Sequence, residues 1–295
     1  MDLPPTALLA GLATVDLVHV VRRFPAPDEK VRAESQELAA GGPAANAAVA
    51  YAALGGRARL LTALGSSALA AVAHEDLRTH GVEVVDLAAG SPEPPPVAAC
   101  AVDEHGARTV VSVGAAASAV TLASVDLEDA SVVLLDGHHP LVALEVARAA
   151  RASGVPVVLD AGSWKPVLAD LLPLVDVAVC SAGFRVPGSS GDLEDVLAAG
   201  ASSVAVTAGG GPVRWHDGRS AGEVPVAAVP VVDTLGAGDA FHGAFAWATA
   251  TRPGRALPER LGFAAAVAGV RVGVAGARAW LADPSLARAV EEWLR

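Results

Sequence analysis

Short runs of almost continuous apolar residues alternate with longer segments of helical pattern through the second half of the chain. The runs have the length of β-strands and fall at residues 132–136, 155–160, 175–180 and 203–207. Strands of a parallel sheet are apolar on both faces because helices cover both sides of the sheet. The alternation therefore predicts a doubly wound α/β fold, with a mostly parallel sheet and helices on both faces.

Two other segments have a pattern that does not fit the centre of a parallel sheet. Residues 17–40 mix β-branched, charged and polar side chains around a proline-rich turn, and residues 97–114 contain two short strands joined by a turn with glycine. Strands that are only partly apolar suit a small sheet that covers a cleft. We predict a β-sheet lid made of these two insertions, over an α/β catalytic core of residues 1–16, 41–96 and 115–295.

The composition narrows the choice of partners. The 295-residue chain has a formal net charge of −11, which argues against a nucleic-acid partner because such proteins need a basic face. Its apolar runs are interrupted before they reach membrane-spanning length, and its first residues lack the features of a secretion signal. We therefore expect no membrane partner and a cytoplasmic location. The two cysteines and eight histidines have no metal-type spacing, so no metal site built from protein ligands is predicted.

A glycine turn in the last third of the chain carries the strongest chemical signal. An apolar, strand-like run at residues 229–232 leads towards Gly236, Ala237 and Gly238, and an alanine-rich helix follows. Unpaired N–H groups at the start of a helix bind anions, and glycine lets a phosphate approach the backbone. Asp239 lies beside this turn, where it would serve as the base for a hydroxyl that attacks a phosphoryl group. The alternative is an ordinary turn with an acidic residue at the start of its helix.

Two further polar positions suit the hydroxyl groups of a ligand. Asp16 follows the first predicted strand, residues 6–13, and we expect it at the carboxyl end of that strand, where α/β proteins bind ligands. Gly41 and Gly42 precede a helix with Asn46 in its first turn, and an amide there offers a donor and an acceptor. The alternative for Asp16 is a solvated turn residue without a ligand. The alternative for Asn46 is a glycine turn followed by an asparagine that only weakly favours the helix.

The segment Asp-Thr-Leu-Gly-Ala-Gly-Asp-Ala-Phe at residues 233–241 resembles the C-terminal signature of the ribokinase-like (PfkB) carbohydrate kinases, and residues 41–46 resemble their N-terminal signature. The resemblance covers nearly the whole chain. It implies a ribokinase-like fold and an ATP-dependent sugar kinase that uses Mg²⁺, with a monovalent cation such as K⁺ as a further candidate. It also implies that the Gly236–Gly238 turn is the anion hole and Asp239 the catalytic base. The implied sugar contacts are Asp16, Gly42, Asn46 and Arg108, and the implied nucleotide contacts are Lys165, Thr207, Gly209, Gly211 and Gly276.

Within the family the chain is most similar to ketohexokinase, which implies a free sugar substrate, fructose first and then another ketose or a pentose. Three positions depart from the family pattern. Pro43 stands where ketohexokinases have an asparagine that contacts fructose, and Pro212 replaces a glycine of the nucleotide loop. The segment 180–184 lacks the usual Asn-x-x-Glu motif, although triphosphate oxygens and waters can still complete the shell of Mg²⁺.

Two alternatives stay open on the sequence. A nucleoside kinase of the same fold would need an aromatic platform for the base, and the chain has only one Tyr and five Phe residues. A catalytically inactive sugar-binding regulator would not need Asp239. The lid also predicts a homodimer, because the exposed face of a small sheet invites the lid of a second copy.

Overall fold

The computed structural model describes residues 4–113, 120–122 and 124–295, which form one sheet of nine strands and one of four strands. The predicted boundary between lid and core at residues 114 and 115, and the first three residues of the predicted core, lie outside the described residues.

The larger sheet forms the centre of the molecule. The strands, in chain order, are β1 (Thr6–Ala10), β2 (Thr14–Val20), β3 (Ser35–Gly41), β4 (Arg57–Thr62), β5 (Val82–Asp86), β6 (Val97–Val102), β7 (Arg108–Ser112), β8 (Ala130–Leu135), β9 (Val157–Ala161), β10 (Val177–Ser181), β11 (Ser203–Ala208), β12 (Gly211–His216) and β13 (Ala221–Val224). The large sheet has the order β13-β12-β11-β10-β9-β8-β1-β4-β5. All neighbours from β5 to β11 are parallel, and β12 and the edge strand β13 pair in antiparallel fashion. The four runs predicted in the second half correspond to β8, β9, β10 and β11.

Helices cover both faces of this sheet. They are α1 (Pro43–Ala53), α2 (Ala68–Thr79), α3 (Pro140–Ser153), α4 (Leu168–Leu171), α5 (Leu193–Ala198), α6 (Ala237–Thr251), α7 (Leu257–Val272) and α8 (Pro284–Leu294). Helices α1, α2 and α6 to α8 pack on one face, and α3 to α5 pack on the other. Side chains alternate along β1, so that Leu9 enters the first core and Leu8 the second. The predicted doubly wound fold is confirmed. No helix within the described ranges is both long and apolar enough to span a bilayer.

The smaller sheet has the strand order β3-β2-β6-β7, with β2 parallel to β6 and the other pairs antiparallel. Its buried side chains include Val18 and Cys100, and Leu235 packs against them from the segment before α6. This sheet therefore sits on the glycine turn. The strands of this sheet extend beyond the predicted lid segment 17–40, to Thr14 at one end and Gly41 at the other. The lid boundaries themselves stay a prediction.

Asp16 does not lie at the carboxyl end of the first core strand. That strand, β1, ends at Ala10, and the chain passes through residues 11–13 into β2, which contains Asp16. The backbone N–H of Leu12 donates to Asp136 Oδ2 at 2.8 Å and anchors this passage. Residues 6–18 are apolar almost throughout, so the pattern concealed the step from one sheet to the other.

The apolar run at residues 229–232 is also not a strand. It has no regular structure, and its side chains Val231 and Val232 are 52% and 42% exposed. Pro230 has no N–H group for a β-ladder. The backbone N–H groups of Val232 and Asp233 instead donate to the carbonyl oxygen of Val272, at the end of α7.

Helices α1 and α6 approach each other closely through small residues, which brings the two glycine-rich helix starts together. A Cβ placed on Gly243 would lie 2.3 Å from the carbonyl oxygen of Ala47 and 2.8 Å from the Cβ of Ala50. We expect Gly243→Ala to lower the free energy of unfolding by about 1–3 kcal/mol, because the two backbones must move apart. Urea denaturation measures the change.

Gly262→Ala in α7 is the matched control, since its new Cβ would be 3.7 Å from the nearest atom, Val224 Cγ1. That variant is expected to be as stable as the parent or more stable by about 0.5–1 kcal/mol, because alanine favours a helix interior. Equal effects of the two substitutions would contradict the close helix contact.

Candidate active site

The glycine turn lies at the start of α6, close to the predicted helix start. Gly236 has a φ of 72° and precedes the first helical residue, Ala237. A Cβ placed on Gly238 would meet no atom within 4 Å, so the backbone is open on that side. The first N–H groups of a helix have no intrahelical acceptor and carry a partial positive charge. This turn can therefore bind a phosphoryl group.

Asp239 lies in the first turn of α6, beside this backbone. Its Oδ2 accepts a hydrogen bond from Asn46 Nδ2 at 2.8 Å, and a Cβ on Gly236 would lie 3.8 Å from the same oxygen. Burial raises the pKa of Asp239 to about 6, and the nearby Asp160 carboxylate acts in the same direction, while Asn46 and His242 oppose the shift. At neutral pH such a group is mostly ionised and is a stronger base than an ordinary carboxylate.

A pocket between the lid and the start of α6 collects three of the predicted residues. Asp16 comes from β2, Asn46 from α1 and Gly236 from the turn. Gly42 precedes α1 with a φ of 92°, and a Cβ there would lie 2.4 Å from the carbonyl oxygen of Leu12. Only glycine fits this entrance, which sets the position of the first turn of α1.

Asp16 enters this pocket from the lid as a buried carboxylate. Gly41 on the neighbouring strand makes room for it, because a Cβ there would lie 2.0 Å from Asp16 Cγ. Thr14 Oγ1 donates to Asp16 Oδ1 at 2.6 Å. Burial raises the pKa of Asp16, whereas the hydrogen bond from Thr14 and the charge of Arg278 lower it. This carboxylate can accept hydrogen bonds from ligand hydroxyl groups.

The second lid insertion contacts the segment before the glycine turn. Arg108 Nη1 donates to the carbonyl oxygen of Thr234 at 2.6 Å, and Thr234 Oγ1 donates to the carbonyl oxygen of Gly106 at 2.9 Å. Gly106 has a φ of 75° in the turn between β6 and β7. The predicted cationic residue of the lid thus lies next to the turn, with its guanidinium still exposed.

An ion pair supports the turn from behind. Arg271 Nη2 lies 3.0 Å from Asp233 Oδ2, and the two side chains are each only 3% exposed. Arg271 Nη1 also donates to the carbonyl oxygen of Val274 at 3.0 Å, and the N–H of Gly276 donates to Asp233 Oδ2 at 3.2 Å. Gly276 therefore contacts the glycine-turn segment through Asp233, and its predicted role in nucleotide binding stays a prediction.

The remaining predicted nucleotide contacts lie near the ends of β9 and β11 of the large sheet. Lys165 follows β9, and its Nζ is 3.5 Å from the carbonyl oxygen of Ser163. Thr207, Gly209 and Gly211 belong to the β11–β12 hairpin, beyond β10 and β9 in the sheet order. The described hydrogen bonds do not join these residues to Asp239, and their roles stay predictions.

The structure adds residues that sequence reasoning did not assign to the site. His242 Nδ1 lies 2.7 Å from the carbonyl oxygen of Gly238 and 3.4 Å from Asp160 Oδ2. Asp136 Oδ1 accepts a hydrogen bond from the N–H of His138 at 2.9 Å. Asp136 and Asp160 each stand at the end of an apolar run in the sequence, and this position was the signal that could have placed them at the site. The only local signal for His242 was its place one helical turn after Gly238.

Comparison with known proteins decides the family. The model of the pfkB family carbohydrate kinases matches residues 6–283. The chain belongs to this family. It is therefore a PfkB sugar kinase, a phosphotransferase, and the predicted family and enzyme class are confirmed; the similarity to ketohexokinase in particular stays a prediction.

Individual relatives of this sugar kinase are ribokinases and a related enzyme. It is 30% identical to ribokinase of Arabidopsis thaliana over 295 residues, covering 92% of this chain and 77% of the relative. It is 30% identical to the ATP-dependent ribose-1-phosphate kinase of Halopiger xanaduensis over 287 residues, covering 92% and 93%. A solved structure of Arabidopsis thaliana ribokinase complexed with ribose and ATP superimposes with a TM-score of 0.73 and 25% identity, covering 98% and 99% of the two chains.

Proposed function

We propose that this sugar kinase transfers the γ-phosphate of ATP to a hydroxyl group of a free sugar, with ribose first and fructose next. The observation that carries the proposal is the Asp239 carboxylate beside the Gly236–Gly238 turn, hydrogen-bonded to Asn46. A base next to an anion site is the arrangement that phosphoryl transfer to an alcohol requires. The names of the relatives support ribose ahead of fructose, which the similarity to ketohexokinase had favoured.

In the proposed reaction, the sugar hydroxyl donates its proton to Asp239 as its oxygen attacks the γ-phosphorus. The bond between that phosphorus and the β,γ-bridging oxygen breaks, and ADP leaves with the electron pair. The N–H groups of the turn stabilise the transferring phosphoryl group, and Arg108 brings positive charge to it from the lid. Asp16 accepts hydrogen bonds from other hydroxyl groups and orients the sugar.

Mg²⁺ fits this site as a partner of ATP. Within the described residues, no three His, Cys, Asp or Glu side chains form a metal-binding group. Triphosphate oxygens and water can supply most of its ligands. When bound, Mg²⁺ neutralises phosphate charge. K⁺ stays a candidate activator. Comparing the turnover in K⁺ with the turnover in a large organic cation tests whether K⁺ is needed.

A phosphorylated sugar is the second candidate substrate. Two arginines, Arg271 and Arg278, line the pocket, and one relative is a ribose-1-phosphate kinase. Both guanidinium groups are however already paired with carboxylates, Arg271 with Asp233 and Arg278 with Asp76. Because their charges are internally neutralised, we place the free sugar first.

A coupled assay of ADP release tests the proposed substrate. Ribose, fructose, ribose 1-phosphate, a keto-deoxy sugar acid and a nucleoside are compared at equal concentration, with ATP alone as the blank. We expect the highest kcat/KM with free ribose. The highest value with ribose 1-phosphate would favour the second candidate, and the highest with a nucleoside would overturn the proposal. Sugar binding without any turnover would favour the inactive regulator.

The acid side of the pH profile reports on the base. Since Asp239 must be ionised to accept a proton and its pKa is raised to about 6, kcat/KM should fall below that pH by about tenfold per unit. Measurements between pH 5 and 9 at constant ionic strength locate the midpoint. A midpoint in the ordinary range of aspartate, below about 4.5, would contradict the assignment.

We also propose a homodimer through the lid. The edge strand β7 exposes Val110 and Val111 by 46% and 69%. Exposed edge strands with apolar side chains favour association. Sedimentation velocity at micromolar concentration should give a dimer, Val111→Glu should give a monomer, and Val85→Glu on the edge of the core sheet should leave the dimer intact. A fully active monomeric parent would remove the dimer from the proposal.

The cytoplasm is the proposed location, because ATP is there and the two cysteines are buried free thiols.

A further inference from the structure

Arg278 lies at the wall of the pocket and contacts three separate parts of the chain as well as its own neighbour Ala277. Its guanidinium donates to Asp76 Oδ2 through Nε at 3.1 Å and Nη2 at 2.8 Å, and to the carbonyl oxygen of Ala40 through Nη2 at 2.6 Å. Nη1 donates to the carbonyl oxygen of Ala277 at 3.4 Å and to Asn46 Oδ1 at 3.1 Å. A guanidinium has five N–H groups, and these bonds use all of them. Arg278 therefore has no donor left for a substrate.

The amide of Asn46 lies between this cation and the carboxylate of Asp239. Its Oδ1 accepts from Arg278 Nη1, and its Nδ2 donates to Asp239 Oδ2 at 2.8 Å. Turning the amide by half a rotation would place its oxygen against the carboxylate and its NH₂ group against the guanidinium. Both contacts would then be repulsive, so Arg278 and Asp239 together fix the orientation of the amide, and Arg278 restrains its oxygen end.

We propose that Arg278 is a positioning residue for catalysis: it orients the Asn46 amide, which in turn holds the Asp239 carboxylate in a fixed rotation. The same guanidinium bonds the lid strand at Ala40 and the helix α2 at Asp76, so the base and the lid share one anchor. The inference rests on the proposed function, because it concerns the base of that reaction.

Loss of this anchor should change the ionisation of the base. Burial raises the pKa of Asp239, and Asp160 and Asp16 act in the same direction, whereas Asn46 and His242 lower it. Without Arg278 the amide keeps only one of its two partners, so its NH₂ group is held less firmly against Asp239 and stabilises the ionised carboxylate less. The acid limb of kcat/KM should therefore move to higher pH by about one unit.

The experiment compares the pH profiles of Arg278→Gln, Asn46→Ala and the double variant with that of the parent. We expect Arg278→Gln to move the limb upward by about one unit and to leave KM for ATP within about twofold. Because Arg278 acts through Asn46, the double variant should shift no further than Asn46→Ala alone. Additive shifts, or a parent-like profile for Arg278→Gln, would overturn the proposal.

Glu37→Ala, which removes a hydrogen-bond acceptor that joins the lid to the Ala277 loop, is the matched control for loosening of the lid. Glu37 Oε2 accepts a hydrogen bond from the N–H of Ala277 at 3.0 Å, so it joins β3 to the same loop without touching Asn46. The acid limb of kcat/KM for this Glu37 variant should stay at the pH found for the parent. A shift equal to that of Arg278→Gln would assign the effect to the lid and overturn the proposal.

A second readout does not depend on turnover. The carboxyl carbon of Asp239, assigned by its absence from the Asp239→Asn spectrum, is titrated by carbon NMR in the parent and in Arg278→Gln. An upward shift of its pKa supports the positioning role even if no sugar is phosphorylated, whereas failure of the substrate screen concerns only the proposed function. If Arg278→Gln does not fold, Arg278→Lys replaces it, since lysine keeps the charge and lacks the planar fork. An unchanged titration in the lysine variant, or its failure to fold as well, would overturn the proposal.

Discussion

Replacing Asp239 with asparagine is expected to lower kcat by two or more decades, on the order of 3 kcal/mol or more in transition-state stabilisation. The amide has nearly the size of the carboxylate but no basic oxygen to accept the proton of the sugar hydroxyl. The turn at Gly236–Gly238 and the lid residue Arg108 are unchanged, so the affinity for ATP should stay close to that of the parent. Initial-rate kinetics and calorimetric titration with ATP measure the two quantities separately.

Asp217→Asn is the matched control, because Asp217 lies in an exposed turn between β12 and β13 and accepts from the N–H groups of Arg219 and Ser220. Its turnover should equal that of the parent. Near-parental turnover of Asp239→Asn would show that another group accepts the proton, and Asp160 would then be the next candidate. Loss of ATP affinity together with kcat would instead indicate that the turn had been deformed.

Replacing Arg271 with methionine is expected to lower the free energy of unfolding by about 3–5 kcal/mol, because it leaves the Asp233 carboxylate buried without its partner. Both side chains of this pair are 3% exposed, so solvent cannot take the place of the guanidinium. The segment before Gly236 should loosen as well, since Asp233 also accepts from the N–H groups of Leu235 and Gly276. Turnover should therefore fall more than the affinity for the sugar.

Urea unfolding and initial-rate kinetics measure these effects, and two further variants control them. Arg78→Met removes an exposed partner of Glu75, and no measurable change in stability is expected. The double variant Asp233→Leu with Arg271→Met removes the unpaired charge and should be more stable than Arg271→Met alone, although two N–H groups lose their acceptor. A double variant no more stable than the single one would show that the lost packing, rather than the unpaired charge, destabilises the protein.

The elements of the core could be predicted because each depends on short-range pattern. Parallel strands buried on both faces are continuous apolar runs, and their alternation with helices leaves few other architectures. Two predictions were wrong because an apolar run did not correspond to a single strand of the core sheet. Residues 229–232 lie along the end of α7 outside both sheets, and the run beginning at residue 6 conceals a passage between two sheets. In both cases the pattern reports burial or composition, and not the partner strand.

The candidate site likewise has one part that the sequence specifies locally and one part that depends on long-range packing. The Gly236–Gly238 turn and Asp239 form one local motif, so the sequence by itself determined the turn, the carboxylate beside it and the family resemblance that names the reaction class; their roles as anion site and base are proposals. The hydrogen bond between Asn46 and Asp239 spans 193 positions, and the Arg278 and Arg271 contacts depend on where helices, lid and loops meet. In the sequence these two arginines only interrupt an apolar run. Only the tertiary structure decided their roles, because a side chain acquires a partner through long-range packing that no local spacing records.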